Sequence, residues 1–227
     1  MNDEARRFLA VLQGVESPTL TTLCQRTLDL LPADGVSIAL MTGTDHQGLA
    51  GSSGPLASAR QDLEFTLGQG PGVDAFEQGS SVVVEDLSLT DGRWPLFSPA
   101  ALELGICAVW ALPMKVGEIR LGVLYLYGDE PGSIGAEHLE RALTVTELIT
   151  QIVIGLQSQV SSEAIAFALV ESDYRAVVYQ ATGMISVQLG CSVDEALVRL
   201  RGHAFVAERP VDEIAEQVVD GSVRFHE

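Results

Sequence analysis

Leu20, Leu23, Thr27, Leu30 and Leu31 recur at near-helical spacing in SPTLTTLCQRTLDLLP and lay one apolar stripe along a helix. Ser17 is placed to cap it, Pro18 to open its first turn and Pro32 to stop it. An amphipathic segment, Glu4 to Leu12, precedes it. The period then shortens. GVSIALM, Gly35 to Met41, is a run of strand formers, and a polar, glycine-rich link leads to a second strand at GLAGSSG. Residues 55–66 read as a helix, and LGQGPGVDAFEQG as a Gly/Pro loop opening a short helix that ends at Gly79. SSVVVEDL is a strand, and RWPLFSPAALELG a loop followed by a helix. ICAVWALPMKVG and EIRLGVLYLYG flank a tight turn at Val116-Gly117-Glu118 and read as a hairpin. SIGAEHLERALTVTELITQIVIGLQSQV is a long helix. The hairpin late in this order predicts an antiparallel sheet with helices packed on it, an α+β fold.

The tail has only the helical period. A helix runs from about Ala164 to Leu189 and closes at Gly190. CSVDEALVRLRGHAF opens on a capping box of Ser192 and Glu195. RPVDEIAEQVVDG has Pro210 at its start, acids in its first turn and Gly221 at its end. Three such helices bury their apolar faces only against one another or a partner. The expected division is residues 1–157 and 158–227, joined through a long helix without a Gly/Pro/Ser linker. Along that joint, Thr146, Val153, Val160, Phe167 and Tyr174 alternate at 3,4 spacing with Ile149, Leu156, Glu163, Val170 and Val177. Two readings stand for it: a dimer seam along Val153, Leu156, Val160, Phe167 and Val170, or packing within each domain.

Charge narrows the chemistry. The net charge is −18. Residues 1–157 hold 8 Lys+Arg against 20 Asp+Glu, a net of −12, and residues 158–227 hold 5 against 11, a net of −6. A broad electropositive footprint is therefore missing, and any polyanion must be met by a small local group of cations. Cys24, Cys107 and Cys191 form no CxxC pair and read as small apolar residues rather than a disulfide frame or zinc site. No metal-ligand spacing, GxSxG, Walker or dinucleotide motif occurs, so neither a metal nor a catalytic residue is expected. No apolar run of membrane-spanning length and no signal peptide is found, and the expected location is the cytoplasm, away from the membrane.

GQGPGVDAF, DGRWPLFSPAALELGICAVWALPM and IRLGVLYLYGDEPGSIGAEHL resemble the GAF domains of actinobacterial sensory regulators over roughly residues 15–157. Similar sequences often have Cys where this chain has Gly72, which argues against thiol sensing there. QATGM, EALVRLRGHA and RPVDEIAEQVV resemble the ANTAR domain, a three-helix RNA-binding output, over residues 164–225. Many ANTAR domains have Lys where this chain has Thr182, whose hydroxyl can bond a phosphate without bringing charge.

Together these imply a GAF-like antiparallel sheet joined by a long helix to an all-α ANTAR domain, and a regulator that is not an enzyme. The implied activity is transcription antitermination by holding stem-loops in nascent RNA. The implied state is a homodimer that touches RNA polymerase only indirectly. Expected RNA contacts are Arg175, Tyr179, Ala181, Thr182, Gly183, Arg199, Arg201, His203 and Arg209, with Tyr174 and Phe205 as further aromatics. An ordinary solvated face, with Phe205 in the core, is the alternative for the cationic helix. No cofactor is expected. An unidentified small molecule would be lined by Asp74, Phe76, Trp94, Phe97 and Trp110, residues that serve equally as core packing. A helix-turn-helix DNA binder and a pure protein-interaction module remain as rival outputs.

Overall fold

The computed structural model describes residues 19–41, 47–55, 57–159, 173–207 and 209–226. Ser17, Pro18 and the segment from Glu4 to Leu12 lie outside the described residues. The chain divides into two compact units, Met1–Ile165 and Ala166–Glu227.

In the first unit, helix α1 (Leu20–Leu30) is capped by Thr19, whose side chain accepts from the Thr22 N–H at 3.1 Å. Strands β1 (Gly35–Met41) and β2 (Gln47–Ser53) follow, then helices α2 (Ala57–Leu67) and α3 (Pro71–Gln78). Gly79 ends α3 in the left-handed conformation, φ 62°, where lack of a Cβ removes the steric penalty. Strand β3 (Val82–Val84), helix α4 (Phe97–Glu103), strands β4 (Ala108–Val116) and β5 (Ile119–Gly128) and helix α5 (Ala136–Gln159) follow among the described residues. The strands form one antiparallel sheet in the order β2-β1-β5-β4-β3. At Gly122 a Cβ would overlap the Ala39 carbonyl, so only glycine lets β5 lie that close to β1.

Both faces of the sheet are covered, which is why β4 and β5 read as nearly continuous apolar runs. On one face Val36, Ile38, Trp110, Leu112, Met114, Leu124 and Leu126 meet Leu23 and Cys24 of α1 and Ala142, Val145, Ile149 and Val153 of α5. On the other, Ala39, Val109, Ala111, Val123, Tyr125 and Tyr127 meet Ala75 and Phe76 of α3, Phe97 and Ala101 of α4, and Trp94. Burial of Cys24 in the first cluster pushes its thiol up to about 12, so it is no nucleophile at neutral pH.

This placement corrects the first part of the expected seam. Thr146, Ile149 and Val153 are buried, and Ile149 and Val153 belong to the core under the sheet. The 3,4 pattern there serves a helix lying on strands, which needs the same stripe as a helix lying on a helix. The side chain of Leu156, and all of Val160, Phe167 and Val170, lie outside the described residues.

Among the described residues the second unit holds three helices: α6 (Asp173–Leu189), α7 (Val193–Val206) and α8 (Val211–Val219). Val178, Ala181 and Ile185 of α6, Ala196, Leu197, Leu200 and Ala204 of α7, and Val211, Ile214, Ala215 and Val218 of α8 are all buried. Ser192 caps α7, accepting from the Glu195 N–H at 3.2 Å. Gly190, at φ 63°, makes the turn before it. The Phe225 N–H donates to Gln188 Oε1 at 2.9 Å and ties the C-terminal tail to α6.

Candidate nucleic-acid interface and sensor-domain site

The α7 sequence splits by helical spacing into a buried stripe and an outer face. Ala196, Leu197, Leu200 and Ala204 point inward, which leaves Arg199 and His203, four residues apart, together on the exposed side. Arg199 reaches Glu195 at only 3.8 Å, a loose exposed pair that releases its guanidinium easily. The His203 ring lies 5.2 Å from the Phe225 ring. Phe205 is 59% exposed, so it is not a core residue. Arg201 is half-buried, and two residues on it starts from roughly the opposite side of the helix to Arg199. Arg209 grips Glu213 Oε2 through Nε and Nη2 at 3.0 and 2.9 Å, and Gln217 Oε1 at 3.1 Å, so it braces α8.

On α6 the expected contacts separate. Ala181 and Thr182 are buried at 0% and 1% exposure, and the Thr182 hydroxyl donates to the Val178 carbonyl at 2.7 Å. Both are corrected from surface contacts to core residues: they sit on the stripe that faces α7 and α8, and the hydroxyl is engaged within the helix. Tyr179 is half-buried. Gly183 is half-buried, with no atom within 4 Å of where its Cβ would stand. The Arg175 and Tyr174 side chains lie outside the described residues. Phe225 was missed from sequence, because nothing in GSVRFHE predicts a tail that folds back onto α7.

In the first unit the five expected pocket residues also separate. Phe76, Trp94 and Phe97 cluster on the α3/α4 face of the sheet, with Trp94 and Phe97 edge to face at 6.5 Å. Asp74 binds Arg93 at 2.8 Å, and that guanidinium lies 4.6 Å over the Trp94 ring, so the pair seals the outer side of the cluster. Trp110 is on the opposite face, among the residues that meet α1 and α5. It therefore shares no chamber with the other four, a correction that follows from strand alternation between Val109 and Ala111.

The same α3/α4 face holds a polar group that the sequence did not disclose. Glu64, from α2, is buried and accepts from the Gly72 N–H at 2.6 Å, the Val73 N–H at 3.3 Å and the Tyr125 hydroxyl. It thereby satisfies N–H groups that the first turn of α3 leaves open. Burial pushes its carboxyl up to about 7 against those hydrogen bonds. A Cβ at Gly72 would overlap the Tyr125 ring and hydroxyl, so Tyr125 fills the space a cysteine would need there. Beside it the Tyr127 hydroxyl bonds Ser37 at 2.9 Å, and the buried Arg60 guanidinium lies 3.9 Å over the Tyr127 ring. The only sequence signal for this group is the Gly70-Pro71-Gly72 run, which allows close approach of backbone and side chains. The free cysteines lie in separate places, with Cys107 and Cys191 half-buried. Among the described residues no group of three or more potential metal ligands occurs, and no single helix is long and apolar enough to cross a membrane.

A covered antiparallel sheet followed by a three-helix unit defines a two-module chain, and comparison with known proteins identifies both modules. The GAF domain family matches residues 17–154 and the ANTAR domain family residues 171–219. The chain belongs to the GAF family and carries an ANTAR domain after its GAF domain. That order is the architecture of a regulator with a sensory domain and an RNA-binding output. The fold of the first unit is similar to the GAF domain of an Acinetobacter phosphoenolpyruvate-protein phosphotransferase, at TM-score 0.54 and 15% identity over 70% of this chain and 96% of that one. It is similar to the corresponding domain from Coxiella burnetii at TM-score 0.51 and 18% identity over 68% and 97%. It is also similar to free methionine-R-sulfoxide reductase from Neisseria meningitidis, solved with its substrate, at TM-score 0.51 and 16% identity over 70% and 96%. No curated protein matches the chain.

Proposed function

We propose that the chain is a cytoplasmic transcription antitermination regulator without catalytic activity. Its ANTAR domain holds stem-loops of nascent RNA, as a homodimer, and affects RNA polymerase only by preventing a terminator hairpin from forming. Its GAF domain senses a small molecule and biases the output. The observation that carries this reading is the outer face of α7, where Arg199 and His203 stand exposed, the His203 ring against that of Phe225, while Ala196, Leu197, Leu200 and Ala204 of the inner stripe are buried. Cation plus aromatic is the pairing that binds phosphate and stacks an unpaired base. In this reading Arg209, ahead of α8, Tyr179 and Gly183 of α6 and Arg201 of α7 are further contacts outside that face. Against an enzyme stands the chemistry of the thiols: Cys24 is deeply buried with a raised pKa, and no second cysteine faces it.

The test is a gel shift of the full chain with RNA hairpins in competition with duplex DNA. Arg199→Ala/His203→Ala is expected to lower hairpin affinity at least about tenfold, roughly 1.4 kcal/mol, without changing the unfolding midpoint. Preference for duplex DNA, or wild-type hairpin binding by the variant, overturns the assignment.

A further inference from the structure

A second concavity lies away from the aromatic cluster, at the end of the sheet next to β3. Strand β3 pairs with β4 only over Val82–Val84, opposite Val109–Ala111, so β4 continues past it without a neighbour on that edge among the described residues. The turn after α3 and one face of α5 close around that free edge and leave an open cleft of about 390 Å³. This is within the size range of small-molecule sites. Ser80 and Ser81 line it from the turn, Pro113 and Lys115 from β4, and Leu143 and Glu147 from α5.

Its charges are unusual in being opposed but not paired. The Lys115 ammonium donates to the Gly79 carbonyl, which fixes its position and leaves two N–H groups. Glu147 is exposed and makes no hydrogen bond or ion pair among the described residues. The Ser80 and Ser81 hydroxyls are likewise unengaged among the described residues. A purely anionic ligand would face the Glu147 carboxylate, and a purely cationic one the Lys115 ammonium. A molecule with both charges meets a complement at each end, and Pro113 with the 40% exposed Leu143 covers apolar carbon between them.

We propose that this cleft binds a small zwitterion of the amino-acid class. Its ammonium pairs with Glu147 and its anionic group with Lys115, Ser80 and Ser81. Such a molecule ties α5 to the free edge of β4. Because α5 is the last described element of the first unit, occupancy is a route by which the first unit can report its state.

The experiment follows backbone amide resonances of the full chain during titration with individual probes. These are the proteinogenic amino acids and the ω-amino acids from γ-aminobutyrate to 6-aminohexanoate, with matched alkylamines and fatty carboxylates as single-charge controls. The expected result is saturable shifts at Ser80, Ser81, Lys115 and Glu147 for at least one zwitterion, and at least tenfold weaker binding of its single-charge halves. Glu147→Gln, which removes no contact that the fold uses, should weaken binding about tenfold with an unchanged unfolding midpoint. Lys115→Met should do the same, but it also frees the Gly79 carbonyl, so Glu147→Gln is the decisive variant. Three results overturn the proposal: no zwitterion shifts these amides, the halves bind as well as the whole, or Glu147→Gln binds unchanged. Shifts at the same amides that follow protein concentration alone assign the cleft to a second copy and overturn it too. Shifts confined to Trp94 and Phe97 would leave the sensor reading standing while removing this one.

Discussion

At Glu64 two effects oppose each other. Burial favours the neutral acid, while the Gly72 and Val73 N–H groups and the Tyr125 hydroxyl favour the carboxylate, and burial is the larger. The folded pKa, about 7, therefore lies above the ordinary 4.5. The folded state holds the proton more tightly than the unfolded chain. The resulting stability is fully present below about pH 4.5 and is lost as pH rises through about 7. Glu64→Gln keeps an acceptor for the two N–H groups and removes the titration. In urea unfolding, the stability of the variant relative to the parent is expected to rise between pH 5 and pH 8; parallel pH profiles would count against a buried, titrating Glu64. Gly183 offers a second residue-scale test. It sits inside α6 with open space where a Cβ would be, so Gly183→Ala is expected to stabilise the helix by up to about 1 kcal/mol. If bare backbone there admits a phosphate or ribose, the same variant binds hairpin RNA less well although it is more stable. Tighter or unchanged binding would remove Gly183 from the interface. The buried places of Glu64 and Thr182 were not legible in sequence. Glu64 occupies a helix position that suits a solvated acid equally well, and Thr182 sits in a motif, QATGM, whose outward and inward residues cannot be told apart without the other two helices.

Elements were far more legible than side chains, because periodicity and punctuation act locally. Gly79, Gly117 and Gly190 take the left-handed conformation at the ends and turns where the sequence placed them, and Ser192 caps α7. What periodicity could not give was the partner of a stripe. Thr146, Ile149 and Val153 have the spacing of a dimer seam, yet Ile149 and Val153 lie in the core under the sheet. A strand interval has no signature for which face of a sheet is which, so the sequence alone does not separate Trp110 from the aromatics of the other side. The assignment of α5 is open to a direct check. Ile149 is fully buried against the sheet, and Ile149→Ala is expected to destabilise the fold by about 2–5 kcal/mol through lost contacts and a residual cavity. Denaturant midpoints measure that loss. Sedimentation of the variant under native conditions should match the parent, since a residue that packs on its own sheet does not hold two chains together. A monomeric but equally stable Ile149→Ala would restore the seam at this heptad.

For the whole molecule the difficulty is a polyanion binding a chain of net charge −18. The two effects differ in range. At the proposed interface Arg199 and His203 would act on phosphates in contact, where screening is weak, whereas the surplus carboxylates are spread over the chain and repel through solvent. At about 0.15 M salt the screening length is about 8 Å, so most of that repulsion is suppressed and local contacts decide binding. At about 0.01 M it reaches about 30 Å, and the whole surplus is felt. Each neutralised phosphate on single-stranded RNA contributes a slope of about −0.7 in log affinity against log salt. With only a few cations on the exposed face, a protomer is expected to show a slope near −2 around physiological salt, and Arg199→Ala to reduce it by about 0.7. Below about 0.05 M the growing repulsion works against counterion release, so the plot should flatten rather than stay linear. Fluorescence anisotropy of a labelled hairpin across this range tests both features. A steep, linear dependence down to the lowest salt would mean that many cations meet the RNA, more than the outer face of α7 supplies, and the interface would have to be sought elsewhere on the chain.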